Sequence, residues 1–142
     1  MSSFNLQNLV ILAIVIITIS FVAIFFFQRK GLTEKALWQD YSTTEYEVNG
    51  KKLKLIVAKS QVEWQKGLMY VRKPVDFDGM IFVSNVATPQ IFWNKNTFVD
   101  LDIYWLRAGK VIGQSTLPSI EKSGIKTVSS PGFADTIIEV IR

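Results

Sequence analysis

Between Leu9 and Phe27 the chain runs for 19 residues without a charge, interrupted only by Thr18 and Ser20, whose hydroxyls can bond back to a helix. At a rise of about 1.5 Å per residue the run covers about 28 Å, close to the roughly 30 Å hydrocarbon core of a bilayer. It is apolar on every face, unlike a helix that packs one stripe on a core, and it predicts a transmembrane helix. Phe25, Phe26 and Phe27 lead directly to Gln28, Arg29 and Lys30, with none of the small residues of a signal-peptidase site, so the segment is expected to stay attached. The organisation that follows is a leader over residues 1–8, the anchor over 9–27, a polar linker over 28–40 and a domain over 41–142.

Beyond the linker the pattern changes to short alternating runs. Tyr41 to Val48 and Lys51 to Val57 flank Asn49 and Gly50, the dipeptide suited to the positive φ angles of a type I′ turn, and predict a hairpin. Leu53, Leu55 and Val57 put one face of its second strand on a core. Ser60 followed by Glu63 forms a capping box, and Gly67 is placed to end the helix in the left-handed conformation, so a helix of about two turns is expected between them. Met80 to Val83, Ile91 to Trp93, Leu101 to Leu106, Val111 to Leu117 and Thr136 to Ile141 read as further strands, separated by segments rich in Gly, Pro, Asn or Ser. The fold class expected is mostly β: a compact, twisted antiparallel sheet of seven or so strands closing toward a barrel or sandwich, with one short helix.

Composition narrows the chemistry. The sequence has no histidine and no cysteine, which removes the commonest general base, every thiolate nucleophile and the usual zinc ligand sets. Of the net charge of +4, two positive charges are Arg29 and Lys30 beside the apolar run, and the rest is nearly balanced. Lys51, Lys52 and Lys54 are the densest basic group and lie beside the hairpin turn, where a solvated edge is expected rather than a nucleic-acid surface. Met69 and Met80 are expected to fill the core, since a soft-metal site needs several converging sulfurs. No metal or cofactor is expected. Counting Lys and Arg alone, with none in residues 1–8 and Arg29, Lys30 and Lys35 after the apolar run, favours a cytoplasmic domain.

The densest mix of aromatic and polar side chains is Phe92, Trp93, Asn94, Lys95, Asn96 and Thr97, with Asp100 and Asp102 close behind. Two readings stand side by side. In one, Trp93 offers a flat face, Asn96 and Thr97 offer amide and hydroxyl contacts, and Lys95 holds an anion or pairs with Asp102. In the other, the segment is a strand end and turn whose polar groups bond to backbone while Trp93 fills the core. Glu63, Asp102 and Glu139 are the carboxylates in or beside predicted elements and the candidates for acid and base work.

Glu63 to Met69 reads EWQKGLM, Gly79 to Phe82 reads GMIF, Phe92 to Thr97 reads FWNKNT and Leu101 to Ile103 reads LDI. In order and spacing these motifs resemble the domain of unknown function 192 family, over about Lys51 to Ile141. The resemblance implies a compact β-rich domain with a terminal strand carrying a glutamate, here Glu139, and no established activity. It also implies an extracytoplasmic setting, against the charge count. The chain departs from the family pattern where Trp64 and Val71 stand in place of arginines, Asn94 in place of methionine and Asp100 in place of proline, with Arg72 the nearest substitute for the missing guanidinium groups.

The leading expectation is a non-enzymatic module tied to the lipid bilayer through Leu9 to Phe27. It would bind a small polar or anionic ligand, or an envelope component, through Trp93, Lys95, Asn96, Thr97, Asp102 and Glu63. The alternatives are a hydrolase or transferase using carboxylates with Lys95, which requires two of these groups close together in an open cleft, and a structural or scaffolding protein with partners on an exposed edge strand.

Overall fold

The computed structural model describes residues 15–20 and 38–142. Most of the expected anchor lies outside the described residues; residues 15–20 are helical and exposed. Among the described residues no helix is long and apolar enough to cross a membrane. The chain divides into two units, Met1–Gln39 and Asp40–Arg142, and the second carries the sheet.

That unit runs β1 (Thr43–Val48), β2 (Lys51–Ala58), α1 (Gln61–Lys66), β3 (Gly79–Trp93), β4 (Leu101–Arg107), β5 (Lys110–Leu117), α2 (Ile120–Ser123) and β6 (Thr127–Ile141). The hairpin forms as its turn chemistry dictates, with Asn49 at φ 50° and Gly50 at φ 77°. The capping box also forms: the Ser60 hydroxyl accepts from the Glu63 N–H while the Glu63 carboxylate accepts from the Ser60 N–H. Gly67 ends α1 at φ 47° and ψ −138°, outside the left-handed helical basin expected for it and in a region that side-chain-bearing residues avoid.

The strands make one six-stranded sheet in the order β1-β2-β3-β6-β4-β5. Two features differ from the expected closed antiparallel sheet. The sheet is mixed, because β2 pairs with β3 in parallel, Leu55 with Gly79 through Ala58 with Phe82. The long 59–78 connection, with α1 inside it, is what lets a parallel neighbour form; a tight hairpin cannot. The sheet is also open, ending at β1 and β5. Strands expected to be separate are continuous: Ser84, Asn85 and Pro89 read as breaks, yet β3 pairs along β6 from Gly79 to Trp93, absorbing the irregularity in register shifts between Val83 and Thr88 and between Pro89 and Ile91. A second short helix, α2, joins the one expected.

The two faces of the sheet carry different cores. Residues paired across strands share a face. On one face Val48, Leu53, Leu55, Ile81, Leu106, Ile138 and Val140 form an apolar cluster, each contributing about 1.5–3 kcal/mol on full burial. On the other, Met80 pairs with Glu139 and Glu139 with Ile103, while Phe82 pairs with Ile137 and Ile137 with Trp105. A carboxylate is thus placed in a row of buried apolar side chains. Gly79 makes this pairing attainable, since a Cβ there would stand 1.9 Å from the Glu139 carbonyl oxygen.

Candidate functional site

Glu139 is 3% exposed and, among the described residues, is the one charged side chain in the buried polar set, the others being Asn94, Thr97 and Ser119. The Leu68 N–H donates to its carboxyl group. The other oxygen, Oε2, has no hydrogen-bond partner. Burial pushes the Glu139 carboxyl up to about 8, with the Leu68 N–H opposing the shift, so the group is mostly neutral at pH 7.

A small cavity of about 20 Å³ opens beside it, bordered by Trp64, Gly67, Met69, Phe92, Trp93 and Thr97 among others. A space of this size holds about one water-sized group. Two of the residues that border it, Trp64 and Phe92, are held by a chain of edge-to-face aromatic contacts that runs behind them: Trp64 on Phe82 (centroids 5.3 Å apart), Phe82 on Phe92 (5.0 Å) and Phe92 on Trp105 (5.7 Å). The chain is anchored where the Trp105 indole N–H donates to Ser115 Oγ at 2.9 Å. Gly67 lies beside the acid, where a Cβ would stand 3.6 Å from Oε2, an ordinary contact distance.

The residues singled out from sequence separate into groups. Trp93 and Thr97 border the cavity. Trp93 is 46% exposed, so it is a rim residue rather than core filler. Lys95 is exposed with its Nζ 5.0 Å from the Trp93 ring centroid, and is not among the residues lining the cavity. Asn96, at φ 54°, forms the turn: its carbonyl accepts from the Tyr70 N–H and its side-chain amide donates to the Tyr70 hydroxyl at 2.9 Å. Asp102 pairs across the sheet with Val140, which puts it on the face opposite Glu139, where it accepts from Thr116 Oγ1 and faces Arg142 Nε at 3.7 Å. Glu63 serves the helix cap, accepting from the Lys59 and Ser60 N–H groups, which hold its carboxyl below the usual range. Lys95 and Asp102 are therefore not partners, and Asp102 and Glu139 do not converge.

Asn94, where the resemblance led to an expectation of methionine, is a buried latch. Its amide donates to the carbonyls of Pro118 and Gly124 and to Ser123 Oγ, and its oxygen accepts from the Lys126 N–H at 2.7 Å. Asp100, the other departure, accepts from the Ser119 N–H and pairs with Lys122, which holds its carboxyl low. Both substitutions tie the 118–126 segment to the strand ends. A second, wider cleft of about 450 Å³ lies beside this segment, among Arg72, Phe98, Asp100, Glu121, Lys122 and Arg142. There Arg72 stacks on Phe98 at 3.9 Å and meets Glu121, and Lys122 meets Asp100. No group of acidic or metal-ligating residues among the described residues is arranged to hold a metal ion.

The site missed as a unit from sequence is the Glu139 environment. Glu139 was visible as an acid on the last strand; its isolation depends on Leu68, Gly67 and Trp64 arriving from a distant segment.

A family model, DUF192, described as Uncharacterized ACR, matches residues 44–142. No curated protein matches the chain. Among solved structures, a Sinorhizobium meliloti protein proposed to be a transcription regulator is similar, with 23% identity, a TM-score of 0.56, and coverage of 71% of this chain and 81% of that one. A protein of unknown function from Novosphingobium aromaticivorans is similar with 21% identity and a TM-score of 0.52, over 72% of this chain and 83% of that one. These likenesses concern the fold.

Proposed function

Since the chain belongs to the DUF192 family, whose shared domain is the sheet that surrounds Glu139, we propose that this domain is a non-enzymatic module that binds a small polar ligand at the Glu139 cavity. The observation that carries the reading is the unpartnered Oε2 of a buried carboxyl group beside an aromatic-walled space. A buried polar atom without a partner costs about 1–3 kcal/mol, and a ligand group that pairs with it recovers that cost on binding. Trp93 at the rim supplies a flat apolar surface for the rest of the ligand. The anionic half of the expectation loses its support, because Lys95 stands over the outside of Trp93 rather than in the cavity. In this reading the apolar run Leu9–Phe27 holds the module at a membrane surface.

The test is thermal denaturation of the full chain with a panel of small alcohols, amines, amides, carboxylates and sugars, alongside Glu139→Gln and Trp93→Ala. A compound that raises the Tm of the parent and of Lys95→Ala, but not of the two cavity variants, supports the module. A stabilising compound that acts equally on Glu139→Gln places binding elsewhere and defeats it.

A further inference from the structure

We propose that the group taken by this cavity is a primary ammonium, inserted between Trp64, Phe92 and Trp93 so that one N–H meets the unpartnered Oε2 of Glu139. The inference rests on the cavity reading above and adds the chemical class of the ligand.

Three observations point the same way. The first is polarity. The Leu68 N–H is already given to the Glu139 carboxyl and the Thr97 hydroxyl donates to the Lys95 carbonyl, so once Glu139 gives up its proton what these two cavity residues have left to offer is acceptors: Oε2 and the remaining lone pairs of Thr97 Oγ1. An –NH3⁺ group has three donors and no acceptor, the complement of that set. The second is size, since about 20 Å³ admits a water-sized head such as –NH3⁺ and is too small for a guanidinium or a trimethylammonium. The third is the wall: indole and phenyl faces attract cations, and more strongly where water is excluded.

The surrounding charges leave this site to the acid. From α1, Glu63 is tied to the helix cap, and Lys66, though it borders the cavity, holds its Nζ 5.4 Å from the Tyr41 ring centroid. From the 94–97 turn, Lys95 sits over Trp93, and from β4, Asp102 lies on the other face. From β3 and β4 the residues paired with Glu139 are Met80 and Ile103. Glu139 is thus the carboxylate available to an entering cation. Being mostly protonated at neutral pH when the cavity is empty, it releases one proton to solvent for each ammonium bound. Amine affinity then rises about tenfold per pH unit up to about pH 8 and levels off above it, while the amine itself stays protonated.

The experiment measures binding of n-butylamine, Nα-acetyl-lysine amide, n-butanol and butyrate to the full chain by NMR between pH 6 and 9, in the parent and in Glu139→Gln. Support is amine binding with that pH slope, lost at least tenfold in Glu139→Gln; if the variant fails to fold, the slope in the parent decides. Butylamine without the lysine derivative identifies free amines as the source, and the reverse identifies a lysine side chain; either supports the class. Binding of butanol or butyrate as tight as the amines overturns the ammonium while leaving the module reading in place. Absence of binding by all four probes overturns the ammonium, and the module reading is then judged by the wider panel.

Discussion

At the scale of single residues, the identity of residue 64 decides the state of Glu139. The family resemblance led to an expectation of arginine there, and the chain has Trp64, which borders the same cavity as the acid. A guanidinium at that place would favour the ionised carboxylate; an indole leaves desolvation unopposed except by the Leu68 N–H. Trp64→Arg is therefore expected to lower the Glu139 pKa by roughly 1–3 units, at a cost of about 0.5–1.5 kcal/mol for the lost contact with Phe82. Carboxyl-carbon NMR titration reads this directly, and a folded variant whose Glu139 still titrates near 8 sinks the account. Sequence shows the substitution but not its consequence, because nothing local says that position 64 and position 139 meet.

Among the elements, β3 and β6 depend on Gly79. A methyl group there would meet the Glu139 carbonyl oxygen at 1.9 Å and the Val140 Cα at 3.1 Å, both backbone atoms that cannot step aside alone. Gly79→Ala is expected to cost roughly 3 kcal/mol or more in urea denaturation, whereas Gly132→Ala, on the same pair of strands but facing open space, should stay within about 0.5 kcal/mol. Equal effects would show that strand entropy rather than close approach governs both. The same contrast explains how much of the fold was legible. The Asn49-Gly50 hairpin and the Ser60-Glu63 cap are settled by residues within a few positions of one another, and both form as read. The parallel pairing of β2 with β3 and the continuity of β3 through Pro89 are settled by a partner strand far along the chain, and the α2 turn has no side-chain cap to announce it. For the site, the aromatic and hydroxyl members Trp93 and Thr97 were legible as a motif. The roles of Asn94 and Asn96 as turn-holding groups and the facing of Asp102 away from Glu139 follow from the register, which composition does not contain.

For the whole molecule, these shifted acids combine into one pH profile. Glu63 and Asp100 are held low in the fold by N–H donors and, for Asp100, by Lys122, so what they contribute is present above their ordinary values and is lost as pH falls through the lowered ones. Glu139 works in the opposite sense. Its carboxyl titrates near 4.5 when the chain is unfolded and at about 8 when folded, so between these values the folded state holds a proton that the unfolded state has released. Stability then falls as pH rises across that window, by at most about 1.4 kcal/mol per unit, and the fall stops above about pH 8. The two trends place the stability maximum near the lower end of the window, around pH 5, rather than at neutrality. Glu139→Gln keeps the shape and hydrogen-bonding capacity of the neutral acid but cannot ionise, so its stability should be level from pH 5 to 8 while the parent declines. Urea midpoints measured from pH 3 to 9 for both proteins separate the cases: parallel curves would mean that Glu139 titrates normally in the fold, and with that the desolvated, unpartnered acid on which the cavity depends would be gone.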